Sequence, residues 1–218
     1  MASSIANPSG PAVSIVGRRA SAPRGDEVSQ ILAFVIREMV FNAGSAYADR
    51  IREYNVMARQ DCLFEYRKLS MWARVFGGSE FLETCQQGRA SAHFLAQREW
   101  AWLVREGGLW DYRKHIRETF KPAQPEDREQ PYHHYEGFLY LHDIWSLIHY
   151  GYVGKACGFT SAELLEGAGG PRMLQFENPS ERAAVAIGMR LYPFVPTLSG
   201  ILATIQQTPG LARHPLEK

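Results

Sequence analysis

Glu38 is the first residue in the chain whose setting suggests chemistry. It lies three residues after Val35 and four after Phe34, so on a helix it shares a flank with apolar side chains. Desolvation there penalises a charged carboxylate and raises its pKa, which is how a general acid for glycosidic cleavage is made. An ion pair with Arg37 or another arginine would explain the same residue without catalysis. A second constellation is Trp110-Asp111-Tyr112-Arg113-Lys114-His115. Asp111 follows a Gly-Gly turn and is positioned either to cap the next helix or to hold a ligand between aromatic faces.

The densest group is His142-Asp143-Ile144-Trp145-Ser146-Leu147-Ile148-His149-Tyr150-Gly151-Tyr152. On a helix His142, Ser146 and His149 share one face. The two histidines would then stand about 10 Å apart, too far to chelate one metal. Asp143 lines up instead with Leu147 and Tyr150. No metal and no cofactor are expected. His133 and His134 fall in a loop and are expected to be solvated. The glycine clusters Gly107-Gly108 and Gly167-Ala168-Gly169-Gly170 lack the Lys-Ser/Thr ending of a phosphate loop and are expected to stop helices.

These residues must be carried by a chain of 218 residues, enough for one domain with a sizeable core. The 24 basic and 23 acidic residues leave a net charge of +1, so the broad basic field that favours non-specific nucleic-acid binding is absent. Cys62, Cys85 and Cys157 are widely spaced and odd in number; they are expected to be free buried thiols. The first residues lack an apolar run of signal-peptide length, and no stretch is long enough to span a bilayer. The expectation is no membrane insertion, and secretion without a signal peptide.

Residues 1–25, rich in Ala, Ser, Pro, Gly and Arg, are expected to form a flexible arm or linker. The helical domain is then 26–218, opened by Asp26 as a cap. Val28, Ile31, Leu32, Val35 and Met39 form one apolar stripe. Asn42 to Ser45 breaks that helix, and Ser45 starts a second through Tyr54. A third runs from Val56 to Phe76 and stops at Gly77-Gly78. Ser79 caps a fourth, ending near Gly107. Residues 121–137 read as a long loop, with room for a short hairpin. Helical pattern returns at 138–157, 161–167, 180–192 and 198–207. The fold class is all-α, a single compact helical domain.

Several blocks together resemble a known family. They are Phe34-Val35-Ile36-Arg37-Glu38-Met39 with Asn42 and Ser45; Trp102-Leu103-Val104-Arg105 with Gly108, Trp110, Asp111 and Lys114; Asp143-Ile144-Trp145-Ser146 with Ile148-His149-Tyr150-Gly151-Tyr152-Val153-Gly154; and Ala156, Gly158-Phe159 and Gly167-Ala168-Gly169. Their order and spacing resemble the type 44 polymorphic toxin domain across residues 28–192. The resemblance implies a toxin of bacterial conflict, delivered by a secretion system and paired with a cognate immunity protein. It also implies a ribonuclease label, and Asn as an alternative at position 149. A shorter likeness, Glu38-Met39-Val40-Phe41-Asn42 to the Glu-Ser-x-Phe-Asn string of lytic transglycosylases, admits a lysozyme-like arrangement.

Three functions follow. The favoured one is a hydrolase that cuts peptidoglycan glycan strands in the target periplasm. Glu38 would be the acid and Asp143 or Asp111 the second carboxylate, about 5–9.5 Å away. Trp110, Tyr112, Lys114, Trp145, Tyr150 and Tyr152 would line the substrate groove. The second is a metal-independent ribonuclease of the target cytoplasm, with His149 or His142 moving protons and Lys114 or Arg113 holding phosphate. The third is a non-enzymatic module of a secretion cluster.

Overall fold

The computed structural model describes residues 25–124, 130–167, 176, 178–211 and 213–215. The expected arm at 1–25 therefore lies almost wholly outside the described residues, as does most of the 167–170 glycine cluster. The elements are α1 (Gly25–Ala43), α2 (Ala46–Ala58), α3 (Cys62–Lys68), α4 (Met71–Val104), α5 (Arg113–Phe120), β1 (Tyr132–Tyr135), β2 (Phe138–Leu141), α6 (Ile144–Ala156), α7 (Ser161–Leu165), α8 (Pro179–Leu191), α9 (Leu198–Gln207) and β3 (Arg213–Pro215). The architecture is mainly α, as the periodicity predicts, with one small antiparallel sheet in the order β1-β2-β3.

The α1 stripe forms as expected. Val28, Ile31, Leu32, Val35 and Met39 are all at most 1% exposed, each contributing about 2 kcal/mol of apolar burial. The helix stops at Ala43, and the Ser45 hydroxyl accepts from the Ala48 N–H to open α2. α6 lies between α1 and α8. It is buried on every side, from Ile144 to Gly154, so no single apolar face marks it. Its crossing with α8 brings backbone against backbone. A Cβ on Gly151 would stand 2.1 Å from the Val185 carbonyl oxygen, and one on Gly188 would stand 2.0 Å from that of Ile148.

Three expectations are corrected. The third helix does not run through 56–76 to a stop at Gly77-Gly78: the chain breaks at 59–61 and 69–70, and α4 passes straight through both glycines. Gly78 serves a close approach, since a Cβ there would meet the Tyr66 ring at 2.6 Å. Phe138–Leu141 is strand rather than helix, paired with β1 in the register Tyr135↔Phe138 to Tyr132↔Leu141. The two-residue turn between them has positive φ at Glu136 and Gly137, the geometry of the common hairpin turns.

The third correction concerns cysteine. Cys62 and Cys85 form a disulfide joining α3 to α4, and only Cys157 is a free, buried thiol. The bond closes a loop 23 residues apart in sequence. Removing it by Cys85→Ser, or by reduction, is expected to cost about 3 kcal/mol through the entropy of the unfolded chain. Urea unfolding with and without reductant measures this.

Candidate functional site

Two helices and the segment before α5 converge on one polar chain of contacts. α1 supplies Glu38 and, one turn later, Asn42. The segment leading into α5 supplies Tyr112, and α6 supplies His149. The Tyr112 hydroxyl donates to Glu38 Oε2 at 2.8 Å. Asn42 Nδ2 donates to that hydroxyl at 2.9 Å and lies 2.9 Å from His149 Nε2. Arg37 donates to Glu38 Oε1 through Nε and Nη2, both at 3.1 Å.

His149 is 1% exposed, and burial pushes its pKa down to about 3. It is therefore neutral at pH 7. Its ring also bonds the Glu38 backbone, so one ring nitrogen donates to that carbonyl and Nε2 is left to accept from Asn42. The Asn42 amide can then give one hydrogen to His149 and the other to Tyr112. Desolvation, with the Glu38 carboxylate beside it, pushes the Tyr112 phenol well above its usual range. The phenol keeps its proton and directs it at Glu38. This relay starts in the core and ends on a carboxylate whose side chain is 18% exposed.

Buried neutral histidine has a pH consequence. Unfolding restores an imidazole that protonates near 6.5. Below that value the unfolded chain binds a proton that the fold refuses until about pH 3. The contribution is thus complete above about 6.5 and is lost progressively as pH falls toward about 3. His133 adds to it, held down to about 4 by burial and by the nearby His142. Stability is expected to fall on acidification across this window, with a shallower slope in His149→Asn; denaturant midpoints from pH 7 to 4 check it.

A second polar group sits at the other end of α1. Glu27 and Glu38 are eleven residues apart, three helical turns, and so share a face of α1. Glu27 Oε1 lies 3.1 Å from His133 Nδ1. His142 Nε2 stands 2.9 Å from Arg117 Nη2 and 2.7 Å from Asp143 Oδ1. Arginine only donates, so Nε2 must accept from Arg117. It cannot also donate to Asp143, so that 2.7 Å approach is not a hydrogen bond and the Asp143 oxygen has no aligned donor. Arg113 lies in the field of both Asp111 and Asp143. At the start of α5, Tyr112 reaches Glu38 and its neighbour Arg113 lies in the field of Asp143.

The remaining predicted residues are placed differently. Asp111 is a staple for the turn before α5. It accepts from the Gly107 N–H at 3.1 Å, the Arg113 N–H at 3.3 Å and Arg113 Nε at 2.8 Å. Burial raises its pKa, but these donors outweigh that and hold it below the usual carboxylate range. Trp110, Trp145, Tyr150 and Tyr152 do not line a groove: each is 5% exposed or less. The aromatic segment is core, with the Tyr150 and Tyr152 hydroxyls donating to the Leu164 and Phe194 carbonyls. Lys114 is a surface residue 3.8 Å from Glu118. His133 is buried on β1 rather than solvated. His142 precedes α6, so the helical alignment with His149 does not occur.

From sequence, Asn42 has a place in the helix break and in the family resemblance but no role in the site, although it sits on the α1 stripe, three residues after Met39 and seven after Val35. A polar residue at a core position of that stripe is the signal that marks it. Among the described residues no group of three or more His, Cys, Asp and Glu side chains could hold a metal ion.

Residues 99–193 match the sequence model of the bacterial toxin 44 family. The similarity to the toxin domain is thereby shown over this segment, which holds Asp111, Tyr112, His142, Asp143 and His149. Glu38 and Asn42 lie before it. No curated protein and no solved structure matches the chain at a significant level.

Proposed function

We propose that the chain is an interbacterial toxin effector that hydrolyses the glycan strands of peptidoglycan. The toxin reading rests on the match to the bacterial toxin 44 family. The reading of the reaction is carried by one observation: the buried relay from His149 through Asn42 and Tyr112 ends on the partly exposed carboxylate of Glu38. Such supporting hydrogen bonds fix a reactive group in its working geometry. Exposed aromatic faces stand nearby. Phe41 lies three residues on from Glu38, and Tyr47 lies just past the helix break.

The contacts revise the role expected of Glu38. Both of its oxygens accept hydrogen bonds, so it acts as the carboxylate that activates water or faces the positive charge of the sugar transition state. The net reaction adds water across the glycosidic bond, hydroxide to the sugar carbon and a proton to the leaving oxygen. Localisation follows as a proposal: delivery into the periplasm of a target cell, with an immunity protein guarding the producer.

A second reading is a metal-independent ribonuclease. It is favoured by one observation, the Arg117–His142–Asp143 group, which pairs an acid–base residue with a phosphate-binding cation. His149 has no part in it, being neutral and sealed in the core. The test is to incubate the protein with purified sacculi and with total RNA. New reducing ends from sacculi and intact RNA support the glycan reading; degraded RNA with intact sacculi replaces it with the second.

A further inference from the structure

Away from the site, α3 is tied to the rest of the molecule by very little. It has 7 residues, and Cys62 is the single buried one. Leu63 and Phe64 are 58% and 55% exposed. Its polar contacts are local. Asp61 caps it by accepting from the Leu63 and Phe64 N–H groups. Glu65 pairs with Lys68 at 2.9 Å, and Lys68 lies over the Phe64 ring. Among the described residues, no hydrogen bond or ion pair of Cys62–Lys68 reaches beyond residues 61–69.

Two contacts hold α3 against α4. The Tyr66 ring fills the space above Gly78, where a Cβ would meet it at 2.6 Å. The Cys62–Cys85 disulfide fixes the start of the helix. Gly78 and Cys85, with Phe81 and Leu82 between them, fall on one stripe of α4; Gly78 is buried and the other three are partly buried. Isolated helices shorter than about 12–15 residues are marginal in water, and every residue held in helical geometry costs conformational entropy. One buried side chain, that of Cys62 itself, returns little of that cost. The breaks at 59–61 and 69–70 leave the segment bounded by non-helical residues at both ends. The covalent bond is therefore what keeps α3 in place.

We propose that α3 is a redox latch, docked on α4 while Cys62 and Cys85 are joined and released when they are reduced. Closing it takes a disulfide oxidant. The two thiols give up two protons and two electrons, the S–S bond forms, and the oxidant leaves as two thiols. A dithiol reverses the exchange through Cys85, the less buried of the pair, and ends oxidised itself. The remaining thiol, Cys157, is buried and takes no part. Disulfides persist in oxidising compartments and are reduced in the cytoplasm. The latch is thus open in a reducing cytoplasm and closed in a periplasm. The Glu38 relay lies on α1, α6 and the segment before α5, so the latch is independent of the glycan-hydrolase reading.

The test is hydrogen–deuterium exchange of the full chain, followed peptide by peptide, after oxidation with oxidised glutathione and after reduction with dithiothreitol. Thiol titration in denaturant fixes the state, with one free thiol in the oxidised chain and three in the reduced. The amides of α3 are expected to exchange at least about tenfold faster after reduction, as in a local opening, while α1, α6 and α8 keep their protection. Cys62→Ser/Cys85→Ser should show the fast exchange under both conditions, and the reduced natural chain makes the same comparison without any substitution. Exchange of α3 that reduction leaves unchanged overturns the proposal. So does failure of oxidised glutathione to close the bond. Loss of protection across α1, α6 and α8 on reduction overturns it as well, because the disulfide would then hold the whole fold and not a latch.

Discussion

Glu38→Gln is expected to abolish toxicity while the protein stays folded. The amide keeps an acceptor for the Tyr112 hydroxyl, but it can neither activate water nor balance charge at the sugar. General acid–base groups typically contribute about 10²–10⁴-fold in rate, so turnover of sacculi should fall by that order. The Arg37 contact is lost, but Arg37 is 69% exposed, and exposed ion pairs contribute little to stability. Unfolding free energy should therefore change by less than about 1 kcal/mol. His149→Asn acts three bonds away from the carboxylate and should be milder. The readout is expression of each variant with and without an export signal in a susceptible cell. Lysis only on export, lost with Glu38→Gln, agrees with the reading. Growth arrest with RNA decay from cytoplasmic protein, indifferent to Glu38→Gln and lost with His142→Ala, would hand the reaction to the ribonuclease.

The second large effect concerns the crossing of α6 and α8. Gly151→Ala places a methyl group 2.1 Å from the Val185 carbonyl oxygen, and Gly188→Ala places one 2.0 Å from that of Ile148. The atoms met are backbone, so no rotamer change can relieve them; the helices must separate. Overpacking commonly costs about 1–3 kcal/mol, and these substitutions should sit at or above the top of that range. The higher helix propensity of alanine, worth about 1 kcal/mol, returns only part of it. Because α6 carries His149, the relay should loosen as well, and activity should fall together with the denaturation midpoint. An unchanged midpoint in both variants would show that the helices do not approach this closely.

What could be read in advance divides along physical lines. The α1 stripe, the break at Asn42–Ser45 and α9 at 198–207 were legible because each is a local pattern of apolar spacing and capping. Gly77-Gly78 misled because glycine is a poor helix former, whereas Gly78 is there to admit the Tyr66 ring. Phe138–Leu141 misled because four apolar residues in a row have no period of their own. The positive φ of Glu136 and Gly137 makes them a strand by folding the chain back on β1. The aromatic residues of α6 were assigned to a sugar groove on their chemistry, and burial on all sides overrode it. Glu38, Tyr112 and His149 were each picked out, but separately. The contacts that unite them span 74 positions from Tyr112 to Glu38 and 107 from His149 to Asn42, and local pattern carries no such information.

Those long spans also govern when the relay can assemble. The carboxylate enters with α1, its phenol and buried imidazole arrive only with the segment matched to the toxin family, and no stretch between the breaks holds all of them. Severed in the 59–61 break, the chain yields one piece with Glu38 and Asn42 and another with Tyr112 and His149. Neither holds the whole relay, and α1 is parted from the α6 surface it packs against. A chain that is still being made, or is unfolded, therefore has no assembled relay. Bringing the two halves together is the condition for rebuilding the relay that neither holds alone.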